Sequence, residues 1–231
     1  MEDFFSRSET LLGVESMEAL RTKRVILFGV GGVGSWCAEA LVRTGLTHLT
    51  IVDDDVVQAS NVNRQLPATR ETLGRAKVEV LRERLLEINP SAEIIAIQER
   101  YTAETSANFQ LSTFNFIIDA IDSVNDKTDL ILNASRVRGC KVFSSMGAAL
   151  RFDPTQVRVA ELMDVKGDAL AKAVRARMKK LERHPSKKIR CVYSLEQAQR
   201  CETRGSLMQV TAVFGLTLAS LVIEEVKRIT Q

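Results

Sequence analysis

The sequence is short of several features that would narrow its class at once. None of its four cysteines, Cys37, Cys140, Cys191 and Cys201, stands in a C-x-x-C pair. Spacings that wide give neither a zinc signature nor a dithiol redox motif, and they fit unpaired thiols in a reducing compartment. The opening segment, MEDFFSRSET, has acids where a secretory signal needs a basic region and an apolar core. Internal repeats and low-complexity linkers are missing. Long apolar runs are scarce: the charge-free stretch at 206–223 is interrupted by Gln209, Thr211, Gly215, Thr217 and Ser220. It falls at the short end of the roughly 20 apolar residues that span a bilayer. It therefore reads as a buried helix, and the chain as soluble and cytoplasmic, with no membrane partner.

What is present suffices for one continuous domain: 231 residues, 45% of them hydrophobic. The net charge of +3 is unevenly spread, because residues 166–190 carry ten Lys and Arg against two acids. Apolar strands are expected at 24–28, 48–52, 93–97, 114–122 and 141–145, a more exposed one at 156–162 and another at 191–195. Helices are expected at 15–22, 35–44, 74–88, 127–138, 168–183 and 207–228. Strands alternating with helices imply right-handed βαβ units. The fold class is thus α/β: a Rossmann-like, mostly parallel sheet with flanking helices, extended by an antiparallel portion in the C-terminal half.

The stretch VILFGVGGVGSW places Gly29, Gly31, Gly32 and Gly34 between the first strand and its helix. Glycines allow a tight turn and close approach to an anion, and the helix N-terminus offers unpaired N–H groups to a phosphate. This motif alone leaves NAD, FAD, S-adenosylmethionine and ATP open. Asp53 follows the second strand, about 20 residues on, where a carboxylate can accept ribose hydroxyls; Asp54 and Asp55 read as turn or cap residues.

The next segments favour ATP. SNVNRQ supplies Asn61, Arg64 and Gln65, GRAKVE supplies Lys77, and DAIDSVNDK supplies Asp119 and Asp122. Hydride transfer to NAD does not call for such a set. A triphosphate does: Arg64 and Lys77 can neutralise its β and γ oxygens, and Asp122 can hold Mg²⁺ through oxygen. Structural alternatives stand beside each role: a surface ion pair for Arg64, a helix-face charge for Lys77, a helix N-cap for Asp122.

Taken together, G-x-G-G-x-G, strand-Asp, S-N-x-x-R-Q, G-x-x-K and D-x-x-D resemble the ThiF/MoeB/HesA family of adenylyltransferases related to ubiquitin-activating enzymes. The resemblance implies ATP and Mg²⁺ as cofactors and conversion of a carboxylate into an acyl adenylate. It places Gly31, Gly32 and Gly34 along the nucleotide and Asp53 on the ribose. Asp55, Asn61, Arg64, Gln65 and Lys77 belong to the nucleotide site, with Arg64, Lys77 and Asp122 catalytic and Asp122 also the metal ligand. It further implies a homodimer in which Arg7, also catalytic, enters the neighbouring subunit's site.

Members that activate ubiquitin-like sulfur carriers often carry two C-x-x-C pairs, which this sequence lacks. Its second half, with DPTQVRVAEL, GDALAKAVRARMKK and CVYSLE, is instead similar to the dehydratase branch that acts on threonylcarbamoyladenosine in tRNA. On that resemblance residues 1–150 are the ATP-binding part of a single domain, 1–231, and 151–231 bind substrate and complete the dimer. Lys172, Arg175, Arg177, Lys179, Lys180, Arg183, Lys187, Lys188 and Arg190 can then contact tRNA phosphates, a solvated helix face being the structural alternative. With little aromatic interleaving, base-stacking platforms are not expected. Activation of a sulfur carrier's C-terminal carboxylate remains the alternative, and sulfur-transfer proteins are possible accessory partners. EQAQRCETRGS, 196–206, reads as a mobile crossover, and Cys201 is a better candidate for a reactive thiol than Cys191.

Overall fold

A computed structural model of the chain describes residues 4–199, 201–203 and 205–230. Seven strands form one sheet in the order β3-β2-β1-β4-β5-β7-β6. They are β1 (Arg24–Phe28), β2 (His48–Val52), β3 (Glu93–Ile97), β4 (Phe116–Asp119), β5 (Lys141–Ser145), β6 (Val157–Glu161) and β7 (Arg190–Ser194). All neighbours run parallel except β6, which lies antiparallel on β7. The expected α/β class, with its antiparallel extension in the C-terminal half, is therefore the fold observed.

The strands alternate faces with period two, and helices cover both. Val25 and Leu27 of β1 join one core with Phe116 and Ile118 of β4, while Ile26 and Phe28 join the other with Ile117. Burial on both sides is why these strands read as continuous apolar runs. The first face packs under α2 (Val14–Arg21), α3 (Gly34–Thr44), α4 (Lys77–Ile88) and α7 (Met208–Thr230). The second lies under α5 (Val124–Ser135) and α6 (Ala169–Lys180).

Helix α7 is long and apolar enough to cross a membrane by length and composition. Here it is a core helix: Val210, Phe214, Leu218 and Val222 are fully buried, and its main partner is α3. Gly215 permits that packing, since a Cβ there would lie 2.2 Å from the Val33 carbonyl oxygen and 2.9 Å from the Cys37 nitrogen.

Several boundaries differ from expectation. A short helix, α1 (Ser6–Leu12), precedes α2 and buries none of its residues, so no apolar periodicity announces it. Helix α4 starts at Lys77 rather than Gly74, because 74–76 lie in an extended turn in which Val56 pairs with Ala76. Helix α5 starts three residues early, at Val124, where the Ser123 side chain accepts the Asp126 N–H. The crossover expected at 196–206 includes Arg200 and Arg204, which lie outside the described residues.

Candidate active site

β1 leads toward β2 on one side and β4 toward β5 on the other, so the sheet changes winding direction between β1 and β4. In open α/β sheets ligands bind at such a point, beyond the carboxyl ends of the strands. A cavity of about 700 Å³ opens there. The backbone closes up behind it. Gly29, at φ +86°, brings its Cα so near β4 that a Cβ would sit 2.7 Å from the Ala120 carbonyl oxygen. Gly34 faces the Gly29 carbonyl, which a Cβ would strike at 1.8 Å.

Of the residues expected at the nucleotide, Gly31, Gly32, Asp53, Asp55, Asn61, Arg64, Gln65, Lys77 and Asp122 all line this cavity. Gly34 does not; it is buried and packs the start of α3 onto the strand end, which suits the same glycine pattern for a different reason. Arg7, on exposed α1, does not line it either.

The carboxylate of Asp53 accepts the Val30 N–H of the glycine turn at 2.7 Å and the Asp55 N–H at 3.0 Å. Each oxygen keeps a lone pair for a further donor. Burial pushes its carboxyl above the ordinary range, against the pull of Lys77 and the two N–H bonds. Lys77 is buried and reaches Asp55 at 2.6 Å. Arg64 donates to the Ser60 carbonyl and the Asn63 side chain, and no acid among the described residues pairs with it. Its stem lies over Gly32. Gln65 is buried beside Gly31, and its Oε1 has no hydrogen-bond partner among the described residues. A buried polar atom left so is costly unless something else meets it.

Two acids end β4, and they behave differently. Asp119 is fully buried and held by Lys127 at 2.6 Å, by the Ser144 hydroxyl at 2.5 Å and by the Ile121 N–H at 3.0 Å. Asp122 is exposed on the cavity wall with no hydrogen bond from its side chain among the described residues, and the helix N-cap is Ser123. Asp122 therefore has carboxylate oxygens to offer a hard cation, which suits Mg²⁺. A second acidic group, Asp53, Asp54 and Asp55, has its oxygens within 4.8 Å of one another, but Asp55 is paired with Lys77.

Sequence reasoning missed Lys127, Arg100, Thr211 and the pair Arg151 and Asp168, all but Lys127 at the cavity wall. Arg100 donates two bonds to Asp126. The signal for Arg151 was slight: a lone cation in the loop after β5, where strand-end loops commonly carry a site.

The basic segment divides. Lys172, Lys179 and Lys180 are exposed and carry no ion pair among the described residues, and Lys188 has only a loose pair with Glu161 at 3.5 Å. The others are engaged internally. Arg175 donates to the Leu162 carbonyl, Arg177 meets Asp129, Arg183 meets Asn133, and Arg190 meets Glu224. Lys187 holds the Val137 and Cys140 carbonyls at 2.6 and 2.7 Å. Cys191 is buried, and burial pushes its thiol far up, whereas Cys201 is exposed.

A glycine turn and a strand-end acid facing a cavity at the switch point mark a nucleotide-binding α/β domain. The chain belongs to the ThiF family, whose match runs over residues 5–230. It is 41% identical over 176 residues to the tRNA threonylcarbamoyladenosine dehydratase of Bacillus subtilis, covering 76% of this chain and 69% of that one. Its fold is similar to the crystal structure of E. coli tRNA N6-threonylcarbamoyladenosine dehydratase in complex with ATP. The TM-score is 0.92 at 33% identity, over 97% of this chain and 94% of that chain. The sulfur carrier protein ThiS adenylyltransferase of E. coli is more distant, at 29% over 132 residues, 55% of this chain and 52% of that one.

Proposed function

We propose that this chain is an ATP-dependent dehydratase that closes a ring on threonylcarbamoyladenosine in tRNA. The observation that carries the reading is the convergence of five separate segments, 31–32, 53–55, 61–65, 77 and 122, on one cavity. A free carboxylate is a poor electrophile, since its leaving group would be oxide. An oxygen of the threonylcarbamoyl carboxylate attacks the α-phosphorus of ATP, and pyrophosphate leaves. A carbamoyl oxygen or nitrogen then attacks the activated carbonyl carbon, the C–O bond to AMP breaks, and a proton is lost. In net, water has been removed from the modified nucleoside. The attacking atom is already tethered, so closure gains from a high effective concentration.

In this reading Asp53 anchors the ribose, Gly31 and Gly32 admit the phosphates, and Asn61, Arg64, Gln65 and Lys77 orient and neutralise them. Mg²⁺, held by Asp122, would offset charge on the phosphate oxygens. Lys172, Lys179, Lys180 and Lys188 are the cations most available to tRNA phosphates. A homodimer is part of the proposal: around α1, Phe4 before it is 72% exposed, Leu11 on it 80% and Val14 at the start of α2 56%, an apolar surface that a second copy would cover while Arg7 reaches its site. The location proposed is the cytoplasm.

The test is reconstitution with tRNA carrying the open nucleoside, followed by nucleoside mass spectrometry. ATP should be converted to AMP and pyrophosphate as the cyclised form appears. Asp122→Ala should stop AMP formation, whereas Cys201→Ala should leave most of it. Adenylation of a Gly-Gly-tailed carrier protein with untouched tRNA would overturn the reading in favour of sulfur-carrier activation.

A further inference from the structure

The cavity has a second wall on which none of the residues assigned to the nucleotide lies. It is made by the loop after β5 (146–151), the N-terminus of α6 and the crossover after β7. Arg151 ties the three together. Its side chain is 2% exposed and its partner Asp168 is fully buried. One guanidinium arm meets Asp168 at 2.9 Å, Nε donates to the Gly147 carbonyl at 2.9 Å, and the other arm donates to the Glu196 carbonyl. Asp168 in turn caps α6 through the Ala171 N–H at 2.9 Å and accepts the Gly147 N–H at 3.1 Å. The Glu196 carboxylate accepts the N–H groups of Phe152 and Asp153.

Beside Arg151 the backbone is strained. Leu150 sits at φ +63°, a region that side-chain-bearing residues rarely occupy. It is held there by the Gln199 N–H on its carbonyl at 2.8 Å and by its own N–H on the Gly205 carbonyl at 2.9 Å. Strain of this kind persists only where the surroundings over-determine it, and it clusters at sites. Stability alone does not call for the ion pair, since apolar packing of the same volume commonly serves a core as well. What only the planar fork of an arginine supplies is simultaneous registry of three segments.

We propose that Arg151 is a positioning residue, which fixes through Asp168 and the crossover the wall against which the acyl substrate is held. Each of its three guanidinium nitrogens is bonded to the protein and the side chain is 2% exposed, so it acts on the substrate through the segments it holds. The proposal rests on the adenylation reading above: the acyl adenylate and the attacking carbamoyl atom need a rigid wall opposite the nucleotide.

The test uses Arg151→Met and Arg151→Lys in the full chain. For Arg151→Met, kcat/KM for modified tRNA should fall about tenfold to a hundredfold, as a displacement near 1 Å can cause. ATP affinity measured without tRNA should stay at the wild-type value. Hydrogen exchange should quicken at 149–152 and 196–199 and stay slow in β1, at 25–28. Arg151→Lys keeps the charge facing Asp168 and should recover part of the loss; it also serves if the Met variant does not fold. Parallel losses for ATP and tRNA, or faster exchange across the whole sheet, would reduce Arg151 to a general stabiliser and overturn the proposal, as would unchanged kinetics. If the wild type does not cyclise tRNA, the reaction assigned above fails. The ATP affinity and exchange patterns still decide whether Arg151 sets the second wall.

Discussion

Asp53 has to satisfy two partners at once, the N–H groups of the glycine turn and, as proposed, the hydroxyls of a ribose. Both need it ionised, yet burial raises its pKa above the ordinary carboxylate value. The folded state therefore holds the proton more tightly than the unfolded chain does. Ionising Asp53 costs stability from the ordinary value upward, and the cost is complete above the raised one. A ligand that binds only the carboxylate should release a proton as it binds in that window. ATP affinity, measured by calorimetry across pH, should weaken on acidification from a higher pH than an ordinary aspartate would give. Asp53→Asn should bind weakly throughout and lose that acid limb. Such a residue is legible in sequence because local order fixes it: a strand end, a fixed distance past the glycines. Asn61, Arg64, Gln65 and Lys77 are legible for the same reason. Lys127 and Arg151 were not, because their partners, Asp119 with Ser144 and Asp168 with Glu196, come from segments whose meeting only the tertiary fold decides.

At the scale of elements, hydrophobic period placed every strand to within a few residues, and β1, β2, β3 and β5 to the residue. It failed where helices bury little or begin in irregular turns, as at α1 and α4. Gly215 shows what period alone misses. Inside a helix, alanine would be favoured over glycine by about 1 kcal/mol. Here its Cβ would overlap the Val33 carbonyl oxygen, and overpacking of this kind costs about 1–3 kcal/mol or more. Gly215→Ala should therefore lower the melting temperature, by roughly 2–4 °C for each net kcal/mol in a chain of this size. Ser220→Ala, on the exposed side of the same helix, should leave it nearly unchanged. A Gly215→Ala protein as stable as the wild type would mean that α3 and α7 are less closely apposed than described.

For the whole molecule, the homodimer proposal makes a demand that a monomer could not meet. Arg7→Ala and Asp122→Ala should each be inactive alone, by losing different halves of one composite site. Co-refolded in equal amounts, half of the dimers should be mixed, each with one complete site, so about a quarter of wild-type activity should return. No recovery on mixing would place Arg7 outside the neighbour's site.

The packing of α7 has a consequence for biosynthesis. The helix presses on Val33 and Cys37, at the start of the very helix that opens the anion site, and its Thr211 lines the cavity beside Gly32. The glycine turn is translated some 180 residues before that support arrives. A nascent chain with the whole nucleotide motif but without α7 on the ribosome's exit side should therefore retain ATP more weakly than the finished protein.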